Sequence, residues 1–124
     1  MIAVDTSTLI AYLAGEWGED AMALDDALSL GGVCLPPVVV TEILTDARTR
    51  GRIEAAISGL RVLTVTEGYW RRAGHARAAL RQRGYKARLA DTLISQSCVD
   101  HDVPLLTRDA DFRHFAKHCG LRLA

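Results

Sequence analysis

The chain predicts an α/β domain built on a mostly parallel sheet. Five short runs suit buried strands along its 124 residues: Ile2 to Asp5, Val33 to Leu35, Arg61 to Val65, Leu105 to Thr107 and Leu121 to Leu123. Between them lie longer segments whose apolar residues recur at helical spacing. Gly and Pro stand at the junctions. Short apolar strands alternating with amphipathic helices are the pattern of a parallel sheet covered by helices.

Each element has its own local reason. Ile2-Ala3-Val4-Asp5 is apolar up to its last residue, as a strand buried on both faces should be. Thr6 to Ala14 follows with Leu9, Ile10 and Leu13 on one side of a helix. Glu19 to Leu30 repeats that period with Met22, Leu24 and Leu28, and Gly31-Gly32 stops it. Pro36-Pro37 opens the next helix, which runs on to Arg48, because a missing N–H does little harm in a first turn. Gly51 to Ser58 is a shorter helix. Glu67 to Arg83 is amphipathic, with Tyr69, Trp70, Ala73, Ala76 and Leu80 expected inward and Gly84 at its end. Arg88 to Asp100 and Asp111 to His118 complete the helices. No repeat, linker or low-complexity tract divides residues 1–124, so one domain is expected.

About half of the residues are apolar, which excludes a disordered chain. No apolar run approaches the ~18 residues that span a bilayer. The N-terminus has neither a basic segment nor a small-residue cleavage site, so a cytoplasmic protein is expected. Cys34, Cys98 and Cys119 are odd in number and form no CxxC pair, which fits neither a disulfide framework nor a zinc knuckle. The formal charge is zero but polarised: ten acids against four bases before Gly68, and eleven bases against five acids from Gly68 onward. A basic half of this kind can hold a polyanion.

Four acids are conspicuous by position. Asp5 ends the first strand, and Asp109 follows the run Leu105-Leu106-Thr107-Arg108. Glu42 interrupts the apolar segment Pro37-Val38-Val39-Val40-Thr41-Glu42-Ile43-Leu44, and Asp91 lies in the first turn of its helix. In a parallel sheet, strand ends and the N-termini of the following helices gather at one edge, where ligands bind. Carboxylates beside packed aliphatic groups need a compensator. A hard divalent cation, Mg²⁺ or Mn²⁺, suits an all-oxygen donor set. Without it, mutual repulsion would raise some of the carboxyl pKa values. The chemistry implied is attack of a metal-activated water on a phosphodiester. Each acid also has a purely structural reading. Asp5 and Asp109 suit helix N-caps, and Asp91 suits a first turn favoured by the helix dipole.

The segments M-I-A-V-D-T-S-T-L-I, P-P-V-V-V-T-E-I-L, R-L-A-D-T-L-I-S and L-L-T-R-D-A-D-F together resemble the PIN domain, in particular the VapC-type toxins of bacterial toxin–antitoxin pairs. The likeness runs from Met1 nearly to the C-terminus, with the motifs in family order. It implies that the family's four acids fall on Asp5, Glu42, Asp91 and Asp109, with Asp111 as a further metal ligand. It assigns Ser7 and Thr107 as hydroxyls that orient carboxylates or water. It further implies a three-layer α/β/α fold with a five-stranded sheet, Mg²⁺- or Mn²⁺-dependent endoribonuclease activity, a homodimer, and inhibition by a VapB-type antitoxin.

Arg77, Arg81, Arg83, Lys86 and Arg88 lead into the Asp91 helix and suit RNA phosphates beside the acids. Arg48, Arg50 and Arg52 offer a second grip near Glu42. Trp70 and Tyr85 can stack a base or pack locally. His114 and His118, at i and i+4, can ligate a metal, but a solvated terminal helix explains them as well. Two readings compete with the nuclease: a non-catalytic RNA- or protein-binding module, and a phosphotransfer protein of haloacid dehalogenase or receiver type. The haloacid dehalogenase pattern wants a second Asp two residues after the first, where Ser7 stands.

Overall fold

The computed structural model describes residues 1–47 and 50–124, with Arg50 described by its backbone alone. Arg48 and the Arg50 side chain, two of the three bases expected near Glu42, lie outside the described residues. In chain order the elements are β1 (Ile2–Val4), α1 (Thr6–Leu13), α2 (Glu19–Ser29), β2 (Val33–Leu35), α3 (Pro37–Thr45), α4 (Arg50–Ser58), β3 (Arg61–Val62), α5 (Tyr69–Gln82), α6 (Leu89–Asp100), β4 (Leu105–Leu106) and α7 (Arg113–His118). A short 3-10 turn, Ala110–Phe112, leads into α7 where a continuous helix is expected.

The sheet is parallel throughout, with strand order β3-β2-β1-β4. It has four strands, not the five expected. Leu121 to Leu123 contributes only an isolated parallel bridge, Leu123 to Leu105. The reason is geometric. Successive residues of a strand turn their N–H and C=O groups to opposite neighbours. Pro104 and Leu106 accept hydrogen bonds from Ala3 and Asp5 of the β1 side, which leaves Leu105 to face the C-terminal segment. Leu105 donates to the Arg122 carbonyl and accepts from the Ala124 N–H, both at 2.9 Å. β3 is also shorter than the expected Arg61 to Val65. Its last rung is Leu63 N–H to Leu35 C=O at 2.8 Å, and β2 ends there because Pro36 follows with no N–H to offer.

The sheet interior is Ala3, Val4, Val33, Cys34, Leu35 and Leu105, all nearly sealed from solvent. Helix residues close over it: Leu9, Leu24, Val39, Ile43, Leu80, Ile94, Phe112 and Phe115. Full burial of each such Leu, Ile or Phe contributes about 1.5–3 kcal/mol relative to exposure. Cys34 and Cys98 are packed in this core as free thiols, and Cys119 is half-buried at the end of α7. Two expected core residues point out instead. Trp70 is 65% exposed and Met22 59%. In α5 the buried positions are Tyr69, Ala73 and Leu80, and Trp70 lies one residue, about 100°, off that stripe. In α2 Ala21 and Leu24 take the inner face. Helix α5 starts at Tyr69 and not at Glu67 because Gly68 has φ +80°, a left-handed conformation outside the helical range.

Helices α5 and α6 are stitched together by one network. Arg72 pairs with Asp100 at 2.7 Å, and Asp100 also accepts from Gln96 and Thr66. Tyr69 donates its hydroxyl to the Leu93 carbonyl at 2.7 Å. Among the described residues, no helix is long and apolar enough to cross a membrane.

Candidate active site

The strand order fixes where a site belongs. The chain steps outward from β1 to β2 to β3, then returns to lay β4 on the other side of β1. In such sheets the usual ligand position is at the carboxyl ends of the strands that flank the reversal, here β1 and β4. Asp5 leaves β1 there, and the segment Thr107 to Asp111 leaves β4 there. Helix α6 runs back along the sheet before β4, so its N-terminal turn, with Asp91, returns to the same edge.

Asp5 is 3% exposed and fully engaged. Its Oδ1 accepts the Thr8 backbone N–H at 3.0 Å, which makes it the N-cap of α1. Its Oδ2 accepts the Ser7 hydroxyl at 2.8 Å and the Thr107 hydroxyl at 2.6 Å. Burial raises its pKa, and these hydrogen bonds pull in the other direction without cancelling the rise. Thr107 in turn accepts the Asp109 backbone N–H at 3.0 Å, so one hydroxyl couples Asp5 to the backbone of Asp109.

Asp91, Asp109 and Asp111 converge. One carboxylate oxygen of each lies within 4.8 Å of the other two. Asp109 caps the 3-10 turn by accepting the Asp111 N–H at 2.9 Å, so its capping role and its place in the cluster coexist. No hydrogen-bond donor among the described residues reaches the Asp91 carboxylate. Its pKa is pushed up to about 6, first by burial and then by the negative charges of Asp109, Glu42 and Asp111, with Arg88 opposing. Glu42 accepts the Thr6 hydroxyl at 2.6 Å and acts on Asp91 through its charge. The three gathered acids offer oxygen donors only, with no thiolate or imidazole among them. Half-desolvated, mutually repelling carboxylates of this kind fit a hard divalent cation.

The basic residues divide. Arg77, Arg81, Lys86 and Arg88 line one groove of about 340 Å³ around Tyr85. Arg77 spends its Nε on the Ala87 carbonyl at 2.8 Å, which braces the turn before α6. Arg83 is not among the groove's lining residues; its charge acts instead on His118 and Cys119. Tyr85 is stacked on His114, with ring centroids 4.2 Å apart and planes 18° from parallel, and it also meets His118. One face of Tyr85 is therefore taken by the protein itself, with the two histidines as its ring partners. Arg52 donates to the Leu13 carbonyl at 3.0 Å, tying α4 to the end of α1.

The sequence reading overlooked Arg108 and Asp20. Arg108 holds Asp20 through two hydrogen bonds, Nε at 2.8 Å and Nη2 at 3.1 Å. Asp20 also accepts the Thr8 hydroxyl at 3.0 Å, and Arg108 holds its pKa below the usual carboxylate range. The partners are 88 positions apart, so no local pattern links them. The only sequence signal is a cation placed directly before Asp109.

The PIN domain family model matches residues 2–118. The chain therefore belongs to the PIN domain family, which removes the haloacid dehalogenase and receiver alternatives. No curated protein matches the sequence. Several solved structures share the fold. VapBC2 from Rickettsia felis, bound to a DNA fragment from its promoter, superposes with a TM-score of 0.74 at 16% identity, over 100% of this chain and 98% of that one. DNA-bound VapBC from Salmonella typhimurium gives 0.74 at 21% identity, over 100% and 98%. FitAcB from Neisseria gonorrhoeae gives 0.71 at 19% identity, over 99% and 96%.

Proposed function

We propose that the protein is the toxin of a VapBC-like toxin–antitoxin pair and acts as an endoribonuclease dependent on Mg²⁺ or Mn²⁺. The observation that carries this reading is the meeting of Asp91, Asp109 and Asp111 at the switch point of a parallel sheet. These three carboxylates would hold the ion, with Asp5 and Glu42 completing the acidic set. When bound, the ion neutralises that charge and activates water toward a phosphodiester. The chain's own residues do the rest. Thr107 and Ser7 fix the Asp5 carboxylate by donating to it, and Thr107 holds the backbone of Asp109. Thr6 fixes Glu42 in the same manner. Arg77, Arg81, Lys86 and Arg88 supply a cationic groove for RNA phosphates, continuous with the acids through Arg88. Contacts of that kind give affinity without sequence choice.

Two partners belong to this reading. A VapB-type antitoxin is supported by the fold relatives from Rickettsia felis and Salmonella typhimurium, which are VapBC structures. A homodimer is supported by the exposed apolar strip of Trp70, Leu89 and Val65, beside a hollow of about 450 Å³ between α5 and α6. The cytoplasm is the expected compartment.

The test is cleavage of single-stranded RNA by purified protein with Mg²⁺, Mn²⁺ or EDTA, with Asp91→Asn alongside. Cleavage that needs the metal and vanishes in the variant supports the proposal. Cleavage that survives both EDTA and the substitution would refute it. Induced expression, with sequencing of new RNA 5′ ends and a quadruple-acid variant as control, would then identify the target.

A further inference from the structure

The side chains of Thr107 and Arg108 are adjacent but serve different elements. Thr107 donates to Asp5 at 2.6 Å, at the head of α1. Arg108 turns away to the first turn of α2, where it grips both oxygens of Asp20, and comes within 3.5 Å of Glu16 in the loop before that helix. Asp20 accepts from the Thr8 hydroxyl, and the Thr8 backbone N–H donates to Asp5. The links form a closed ring: Asp5, Thr107, Arg108, Asp20, Thr8 and back to Asp5. Thr8 and Asp5 are buried, and the Asp20 side chain is only 14% exposed. Arg108 closes the ring from the surface, with 32% of its side chain exposed, and its charge-assisted, two-point bond to the Asp20 carboxylate fixes their relative geometry.

The segment that follows the ring carries Asp109 and Asp111, two of the three gathered acids. β4 is only two residues long and gives that segment little support of its own. We infer that Arg108 and Asp20 are positioning residues. Their ion pair latches the exit of β4 onto α2 and so holds Asp109 and Asp111 against Asp91 in the arrangement that binds a divalent cation. This rests on the metal-binding reading proposed above.

The experiment is a Mn²⁺ titration followed by electron paramagnetic resonance, at a temperature well below the melting transition, with melting points recorded in EDTA. Wild type and Asp91→Asn come first. If wild type binds no Mn²⁺, or Asp91→Asn binds as well as wild type, the metal site itself is wrong and the latch falls with it. If that pair behaves as expected, the latch is judged alone. Arg108→Ala and Asp20→Asn should each weaken Mn²⁺ binding by about tenfold, the scale of losing a group that orients a metal ligand. Arg108→Lys keeps the charge but not the two-point fork, and should recover only part of that loss. Cleavage by these variants should approach the wild-type kcat when Mn²⁺ is saturating, with KM for RNA unchanged. A lowered melting point with Mn²⁺ affinity equal to wild type in all three variants would make the pair a fold brace and overturn the inference. Full recovery in Arg108→Lys would overturn the two-point geometry on which it rests.

Discussion

The carboxylate that ends β1 and the carboxylate that opens α6 are the same chemical group under opposite treatment. Asp5 is buried and receives three donors, from Thr8, Ser7 and Thr107. Burial is the leading cause of its raised pKa, and the hydrogen bonds it accepts oppose that rise. Asp91 receives no donor among the described residues, is partly open, and stands among Asp109, Glu42 and Asp111. One acid is satisfied by the fold, and the other is left for something else to satisfy. The contrast separates two kinds of buried acid: one whose removal damages the scaffold, and one whose removal relieves it.

The largest effect expected from this contrast is on activity. Asp91→Asn should lower RNA cleavage by on the order of a hundredfold or more, as for loss of one preorganised charge-stabilising group. A fluorogenic RNA assay at saturating Mg²⁺ measures it, and a wild-type rate would remove Asp91 from the site. Next is stability. Asp5→Ala removes a cap and strands two hydroxyls, which should cost about 1–3 kcal/mol in urea unfolding. If that variant is as stable as wild type, Asp5 is not the anchor described.

Asp91→Asn should do the reverse in EDTA. After discounting for solvent around a partly open group, relief of its unfavourable charge is worth about 1 kcal/mol, or roughly 2–5 °C in melting temperature. The same carboxyl sets a pH dependence. With a folded pKa of about 6 against an ordinary value near 4, Asp91 holds a proton in the folded state that the unfolded chain has already lost. Stability of the metal-free protein should therefore fall as pH rises from about 4 to about 6 and level off above. Subtracting the Asp91→Asn curve from the wild-type curve isolates that step, and a difference that rises with pH would reverse the assignment. The smallest effect concerns RNA. Arg81→Ala and Arg88→Ala should each flatten the salt dependence of binding by about 0.7 in log–log slope, and Arg83→Ala should leave it unchanged.

Much of this was legible in the sequence because the cues are local. Apolar runs as short as Ile2 to Val4 and Val33 to Leu35 already read as parallel strands, and Pro36-Pro37 and Gly84 bound their helices where expected. Asp91 and Asp109 were marked by acids placed against aliphatic neighbours. What could not be read depends on partners distant in sequence. The phase that turns Trp70 outward is set by Tyr69 reaching Leu93, and the fifth strand shrinks to one bridge because, of the two residues of β4, only Leu105 turns its N–H and C=O toward the C-terminal segment. The Arg108–Asp20 pair spans most of the chain. Helix α6 buries Thr92, Ser95, Gln96 and Ser97 along with its apolar residues, because α3 and α5 both pack on it. No amphipathic stripe can announce such a helix.

The two thiols in the sheet core give the molecule its own clock. Cys34 is sealed within β2 and Cys98 within α6, and burial pushes the Cys98 pKa up to about 12, so neither offers a reactive thiolate while the structure is closed. Alkylation of either one must wait for the sheet and its helical cover to part, whereas half-exposed Cys119 reacts ahead of them. Mass spectrometry of iodoacetamide uptake at these three positions would time spontaneous opening in the unmodified protein, and repeating it with Mn²⁺ added would measure whether that ion slows it.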